Sequence, residues 1–274
     1  MRRRRFGSLD LEIPVIGLGT WNMERDDRAA AIAALRRGVE LGLTHIDTAE
    51  MYGQGRVESM VAEVIAGQRD RVFLVSKVLP DHASYAGTIA ACEASLKRLA
   101  TDRLDCYLLH WAGDHPLEDT IRAFEELRTQ GKIRAWGVSN FDETELEAAL
   151  KIAGPGKIAC NQVLYQLGNR TIEHRVLPWC TQHGVAVVAY SPLGGRGGFP
   201  RSKPLEAIAS ARGASPQQIA LGFLTRWPQV FVIPKSSNVE HVGQLARDTV
   251  LDDAELAKLD KTFPLTPWRG LPTS

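Results

Sequence analysis

Paired cysteines, an excess of either charge, a low-complexity linker and metal-ligand histidine spacing are all missing from this chain, and each absence removes a class of protein. Its four cysteines, Cys92, Cys106, Cys160 and Cys180, are scattered with no C-x-x-C pair, so neither a disulfide framework nor a zinc site is expected; they read as buried apolar fillers in a reducing compartment. The seven histidines, at 45, 82, 110, 115, 174, 183 and 241, show no H-E-x-x-H or similar spacing, and no metal is expected. Lys and Arg number 33 against 32 Asp and Glu, so the whole-molecule field does not attract a polyanion such as nucleic acid. Hydrophobic residues at 44% and charged residues at 24% match an ordinary soluble globular protein, which sets aside the disordered and membrane classes. The basic start, Met1 to Phe6, runs into Gly-Ser-Leu-Asp-Leu-Glu-Ile-Pro instead of an apolar stretch. A cytoplasmic protein without a signal peptide is expected, its Arg run a solvated chain start and not a phosphate-binding arm.

What is present is an alternation that runs almost end to end. Short runs rich in Val, Ile and Leu, at 15–20, 44–48, 72–78, 104–110, 133–139, 158–163, 185–190 and 230–235, are separated by helical patterns at 28–41, 57–66, 84–99, 117–130, 143–153, 175–183 and 215–226. Ser215-Pro216-Gln217-Gln218 supplies an N-cap, an early proline and a capping-box glutamine. Strand then helix, repeated, demands parallel strands with right-handed crossovers, because each helix must return the chain across the sheet. A doubly wound open sheet or a closed barrel could result. Several strands are apolar nearly throughout, and eight units is the number that closes a barrel with a filled interior, so the closed (β/α)8 barrel is favoured. No composition shift marks a boundary, and 274 residues sit close to the roughly 250 of one such barrel. The expectation is a single domain, 1–274, with a short N-terminal hairpin over 4–13 and an extra C-terminal helix and Pro-rich tail over 251–274.

In such a barrel the active site lies beyond the carboxyl ends of the strands. Asp47, Tyr52, Lys77 and His110 fall there and should converge. Singly, each has an ordinary role: a cap, a half-buried ring, a snorkelling amine, a satisfied core imidazole. Together they form a proton-donating device, since a buried ammonium beside a phenol favours the phenolate and lowers its pKa. Asp47 keeps Lys77 charged, and His110 fixes a substrate oxygen through a ring N–H. A phenol, a cation and an imidazole around one oxygen suit protonation of a developing alkoxide. For the missing hydride carrier, the later strands supply phosphate-loop candidates: Ser191-Pro192-Leu193 into Gly194-Gly195-Arg196-Gly197-Gly198, and Ile233-Pro234-Lys235-Ser236-Ser237 at the start of a helix. Ser139, Asn140 and Gln162 can hydrogen-bond a carboxamide, and Tyr190 can stack on a flat ring.

At these residues the chain resembles an aldo-keto reductase over nearly its full length. Gly17-Leu18-Gly19-Thr20-Trp21, Asp47-Thr48-Ala49 through Tyr52-Gly53, Ser76-Lys77, Leu108-Leu109-His110-Trp111, Gly137-Val138-Ser139-Asn140-Phe141, Asn161-Gln162, Ala189 through Gly194 and Ile233-Pro234-Lys235-Ser236 are similar to the family's motifs and follow in family order. The resemblance implies a nicotinamide-dependent carbonyl reductase with Asp47, Tyr52, Lys77 and His110 as a catalytic tetrad, Tyr52 being the general acid. It implies cofactor contacts from Gly19, Thr20, Trp21, Asp47 and the three carboxamide holders, with Tyr190 under the nicotinamide and Ser191, Pro192, Leu193 and Gly195 over the pyrophosphate. Pro234, Lys235, Ser236, Ser237, His241 and Gln244 would take the adenine end, Lys235 and Ser236 the 2′-phosphate, which favours NADPH. His241 stands where many members carry Arg, and Gln244-Leu245 replaces a frequent Glu-Asn pair, so some NADH use is expected as well. Trp21, Met51, Tyr52, His110 and Trp111 would line an apolar substrate pocket, with Trp268 closing it. The partner is a small carbonyl compound and the default state a monomer. Two other classes stay open: a cofactor-sensing module, as in the potassium-channel subunits of this fold, and a Schiff-base lyase using Lys77 or Lys235. The first is disfavoured by the compact length, the second by Asp47, which would hold a proton on Lys77.

Overall fold

A computed structural model describes residues 1–273 and shows the alternation as a ring of strands inside a ring of helices; Ser274, the end of the expected tail, lies outside the described residues. An antiparallel hairpin of β1 (Arg3–Arg5) and β2 (Glu12–Pro14) comes first. Eight parallel strands follow: β3 (Leu18–Gly19), β4 (His45–Asp47), β5 (Phe73–Val78), β6 (Leu104–Leu109), β7 (Ile133–Ser139), β8 (Ile158–Leu164), β9 (Ala186–Tyr190) and β10 (Val230–Val232). Each pairs with its successor in the chain. The ring shuts where Ile16 bridges Val232, Gly17 N donates to Val232 O at 2.8 Å, and Gly19 N donates to Pro234 O at 3.0 Å. This is the (β/α)8 barrel, and the first strand is short because residues 15–17 serve mainly as its closing seam.

The helices are α1 (Arg28–Glu40), α2 (Arg56–Ile65), α3 (Tyr85–Leu99), α4 (Leu117–Thr129), α5 (Glu143–Ala153), α6 (Val176–His183), α7 (Lys203–Ala211), α8 (Pro216–Leu224), α9 (Val239–Leu245) and α10 (Asp253–Thr262). Side-chain caps decide where several begin. Ser215 accepts from Gln218 N at 3.3 Å while Gln218 accepts from Ser215 N at 2.7 Å, the reciprocal box anticipated from the sequence. The helix α7 was not anticipated, although Ser202 caps it and Pro204 sits in its first turn.

The hairpin stoppers the amino-terminal end of the barrel. Phe6 is fully buried, its ring centroid 4.9 Å from that of Phe73, 5.1 Å from Phe231 and 6.0 Å from His45. Gly7 follows at φ +54°, where an added Cβ would fall 1.9 Å from the Ala159 carbonyl oxygen, so only glycine fits. The Arg run is more than a solvated start. Arg2 forms a fork on Asp248 at 2.7 Å, and Arg4 donates to the carbonyls of Trp227 at 2.7 Å and Thr225 at 2.9 Å, filling acceptors at the carboxyl end of α8. All four cysteines are buried and unbridged. Among the described residues, no helix is long and apolar enough to cross a membrane and no three side chains cluster as metal ligands.

Candidate active site

With one end stoppered, the polar side chains gather at the other. Asp47 is the last residue of β4, Lys77 the penultimate residue of β5, and His110 the residue after β6, held by its own N–H on Val78 O at 3.0 Å. Lys77 is fully buried, yet each of its three ammonium protons has an acceptor: Asp47 Oδ1 at 2.6 Å, Thr48 O at 2.8 Å and Tyr52 Oη at 3.2 Å. Burial alone would strip a proton from Lys77, but the Asp47 carboxylate outweighs it and holds the amine above its ordinary range. Tyr52 departs from the expectation of a lowered phenol. Burial pushes its pKa up and Lys77 pulls it only part of the way back. The physical reason is that Asp47 already neutralises the ammonium, so a phenolate here would be a net buried anion. Tyr52 therefore keeps its proton at neutral pH, and since its oxygen accepts from Lys77, its own O–H is free to donate.

His110 is uncharged throughout the neutral range. Burial and the nearby Lys77 charge draw its pKa down to about 2. Its Nδ1 is buried without a partner among the described residues, which suits a bare lone pair better than an orphaned N–H, so the proton belongs on Nε2. The Tyr52 and His110 rings meet edge to face with centroids 5.9 Å apart. Two neutral O–H and N–H donors thus stand side by side over a fully buried cation and carboxylate, an arrangement able to receive an oxygen that gains negative charge.

Around them opens a cavity of ≈ 680 Å³ whose wall includes Tyr52, His110, Trp21, Met51, Trp111 and Asp47. Gly19 and Thr20 also line it; a Cβ on Gly19 would lie 2.5 Å from the Ile233 carbonyl oxygen. Ser139, Asn140, Gln162 and Tyr190 face it from β7, β8 and β9, already bonded to one another. Gln162 Nε2 donates to Asp47 Oδ2 at 2.7 Å, Asn140 Nδ2 to His110 O at 3.0 Å and Ser139 Oγ at 3.1 Å, and Tyr190 Oη to Asn140 Oδ1 at 2.8 Å. Both Asn140 amide protons and one of the two on Gln162 are spent inside the protein, so a ligand meets acceptor capacity on Gln162 Oε1 and Asn140 Oδ1, suited to an –NH2 group, and one remaining Gln162 N–H. Beyond Tyr190, the wall continues through Ser191, Pro192, Leu193 and Gly195; Ser191, Gly194 and Gly195 have φ of +48°, +104° and +50°, turning this loop tightly over the groove.

Pro234 and Lys235 form the far wall, and there the expected set comes apart. Lys235 Nζ is paired with Asp26, whose carboxylate also accepts from Ser237 Oγ; these two bonds outweigh burial and lower the Asp26 pKa. Ser236, Ser237, His241 and Gln244 lie outside the cavity wall, with His241 and Gln244 exposed on α9. Trp268, expected to close the pocket, instead lies over the Arg175 guanidinium at 5.2 Å from its ring centroid, because the tail is drawn aside by His174 on Thr266 O at 2.7 Å. Thr273 reaches the cavity instead.

The sequence and the fold are met again in known proteins. A sequence profile of the Aldo/keto reductase family matches residues 15–263. The chain belongs to that family. As an aldo/keto reductase it is an oxidoreductase of carbonyl groups that works with NADPH. It is 47% identical to the methylglyoxal reductase YeaE of Escherichia coli (strain K12), over 93% of each chain, and 36% identical to a glyoxal reductase of Bacillus subtilis (strain 168), over 91% of this chain and 89% of that one. An aldo/keto reductase of Klebsiella pneumoniae, crystallised in complex with NADP and acetate, superposes with a TM-score of 0.93 at 47% identity, covering 99% of each chain.

Several wall residues of this reductase escaped the sequence reading: Asn22, Glu145 and Thr273, with Asp26 beside the wall. Glu145 had a legible signal, since Asp142-x-x-Glu145 is a capping box that starts α5. That box brings its carboxyl to the cavity, where burial pushes the pKa up. Asn22 is left-handed at φ +61°, directly after Trp21. Asp26 and Thr273 had no local signal, because tertiary packing alone brings them there.

Proposed function

We propose that this reductase acts on small, compact aldehydes and ketones, 2-oxoaldehydes of the methylglyoxal kind foremost, with Asp47, Tyr52, Lys77 and His110 as its catalytic set. One observation carries the reading: a protonated, nearly buried phenol that accepts from a fully buried, carboxylate-paired lysine, beside an uncharged imidazole, on the wall of one cavity. Tyr52 O–H and His110 Nε2–H would hold the carbonyl oxygen of the substrate. As that oxygen becomes an alkoxide, Tyr52 gives up its proton, and the Lys77 ammonium stabilises the phenolate left behind. Asp47 keeps Lys77 charged and fixed. The relatives' names favour the dicarbonyl choice, and the aromatic and thioether wall of Trp21, Met51 and Trp111 suits a short carbon body.

The residues present fit NADPH. Gln162 and Asn140 keep acceptors for a carboxamide, Tyr190 offers a half-buried ring to a flat heterocycle, the tight loop from Ser191 to Gly195 can cover a pyrophosphate, and Lys235 is a cation for a 2′-phosphate. When bound, NADPH supplies the hydride. Residues 1–274 would act as one domain and as a monomer, in the reducing cytoplasm that four unbridged cysteines suit.

The test is consumption of NADPH, followed by its absorbance, with methylglyoxal, glyoxal and larger aromatic aldehydes, wild type beside Tyr52→Phe. Turnover that ranks the small dicarbonyls first and vanishes in the variant supports the reading. Tight NADPH binding without turnover of any carbonyl would favour a sensing role, and equal rates in the variant would remove Tyr52 from the chemistry.

A further inference from the structure

The cation that a 2′-phosphate would meet already has an anionic partner within the chain. Asp26, which ends the 3-10 turn Met23–Arg25, sets a single oxygen, Oδ2, on both Lys235 Nζ and Ser237 Oγ. The contact spans the closing seam of the barrel: Asp26 follows β3, Lys235 and Ser237 follow β10, and Gly19 N on Pro234 O at 3.0 Å joins the two. Helix capping does not account for it, because the neighbouring Asp27 caps α1 by accepting from Ala30 N at 2.8 Å. The paired side chains are 28% and 32% exposed, so both remain within reach of a ligand at the end of the cavity that Lys235 lines.

We propose that Asp26 is a cofactor-specificity residue that opposes the 2′-phosphate and narrows the preference for NADPH over NADH. The inference rests on the reading above, in which Lys235 receives that phosphate. A phosphate dianion approaching Lys235 must share the ammonium with a carboxylate or displace it, and like charges at such a contact oppose binding. A ribose 2′-hydroxyl is in the opposite position, since it can donate to Asp26, as ribose hydroxyls donate to carboxylates in many NAD sites. The residues that follow Lys235 in the chain do not restore the balance. Ser236 and Ser237 are uncharged, Glu240 adds a further carboxylate in the first turn of α9, and His241 has no guanidinium fork to clasp a phosphate.

Dissociation constants for NADPH and NADH, read from quenching of tryptophan fluorescence on the full chain, test this with Asp26→Asn and Lys235→Ala, alone and combined. Asp26→Asn should tighten NADPH about five- to tenfold and leave NADH unchanged or up to about twofold weaker, and the gain should disappear when Lys235 is also alanine. No change in NADPH affinity, or an equal loss for both dinucleotides, would make the contact a mere brace between loops and overturn the proposal. Wild type itself gives a second arm that requires no variant to fold. Adenosine 2′,5′-bisphosphate should outcompete adenosine 5′-monophosphate by less than about tenfold, whereas an advantage above about a hundredfold would mean an unopposed cation and overturn it too. If wild type binds neither dinucleotide, the parent reading fails, which is a distinct result.

Discussion

The two ends of the cavity are built on different principles. At the end holding Tyr52, the ion pair is buried and the polar groups around it are partnered, on residues that close barrel strands or follow them by a few positions: Asp47 with Lys77 and Gln162, Asn140 with Tyr190 and the carbonyl of His110. At the Lys235 end the groups sit on loops, about a third exposed, and the Lys235 ammonium is held by a carboxylate a ligand must contend with. Rigid strand ends fix the chemistry before any ligand arrives. Recognition at the other end is left to exchangeable contacts, whose strength water and salt can moderate.

The largest effect that would confirm this division is on turnover. Tyr52→Phe should lower kcat about 10²- to 10⁴-fold while NADPH affinity stays within about twofold by fluorescence titration; an equal loss of affinity would mean that the two ends are not independent. Next comes stability. Lys77→Met strands Asp47 as an unpaired buried anion, and urea unfolding should show a loss of about 3–5 kcal/mol. A loss below about 1 kcal/mol would mean that water reaches Asp47 and that the buried end is less sealed than its bonds imply.

Mild acid should act on the buried histidines. His45 is fully buried, with neither ring nitrogen hydrogen-bonded among the described residues, and burial followed by the Lys77 charge brings its pKa down to about 3; that of His110 falls to about 2. Below the ordinary value of 6.5, the unfolded chain takes up a proton that the folded one refuses. Stability is therefore complete above 6.5 and falls, by about 1.4 kcal/mol per pH unit for each of the two, as pH drops toward those depressed values. Unfolding curves at pH 7, 6 and 5 should show it, and His45→Leu should halve the slope; a slope untouched by that change would point to other groups. The smallest effect belongs to the exposed end: Lys235→Ala should weaken NADPH only about three- to tenfold, since Asp26 already screens the cation, with NADH nearly unaffected.

The barrel was legible because its strands are apolar on both faces and its helices carry one apolar stripe, patterns that depend on near neighbours. The buried catalytic candidates were legible for a related reason, since each stands at or just after a strand whose end could be located. What the sequence hid depends on folding at a distance. Asp26 lies more than two hundred positions before Lys235, so its grip on that side chain has no local trace. Trp268 was expected over the pocket as the tryptophan of the Pro-rich tail, but it lies against Arg175, beside the contact of His174 with Thr266 O, and both partners are some ninety positions away in the chain. The direction of the Tyr52 shift was missed because a sequence shows which charge is near and not how completely a carboxylate has already answered it.

The stopper at the amino-terminal end sets an order of events. Phe6 leaves the ribosome before any barrel strand, yet its seat is made of Phe73 and Phe231, and the latter lies on the eighth parallel strand. Arg2 waits likewise for Thr225 and Asp248. During synthesis the hairpin must remain unseated while the strands assemble, and it is fastened only when the ring has both edges to join. The hairpin, translated before the strands it plugs, is thus locked after them, and the barrel cannot be finished before its eighth parallel strand has emerged.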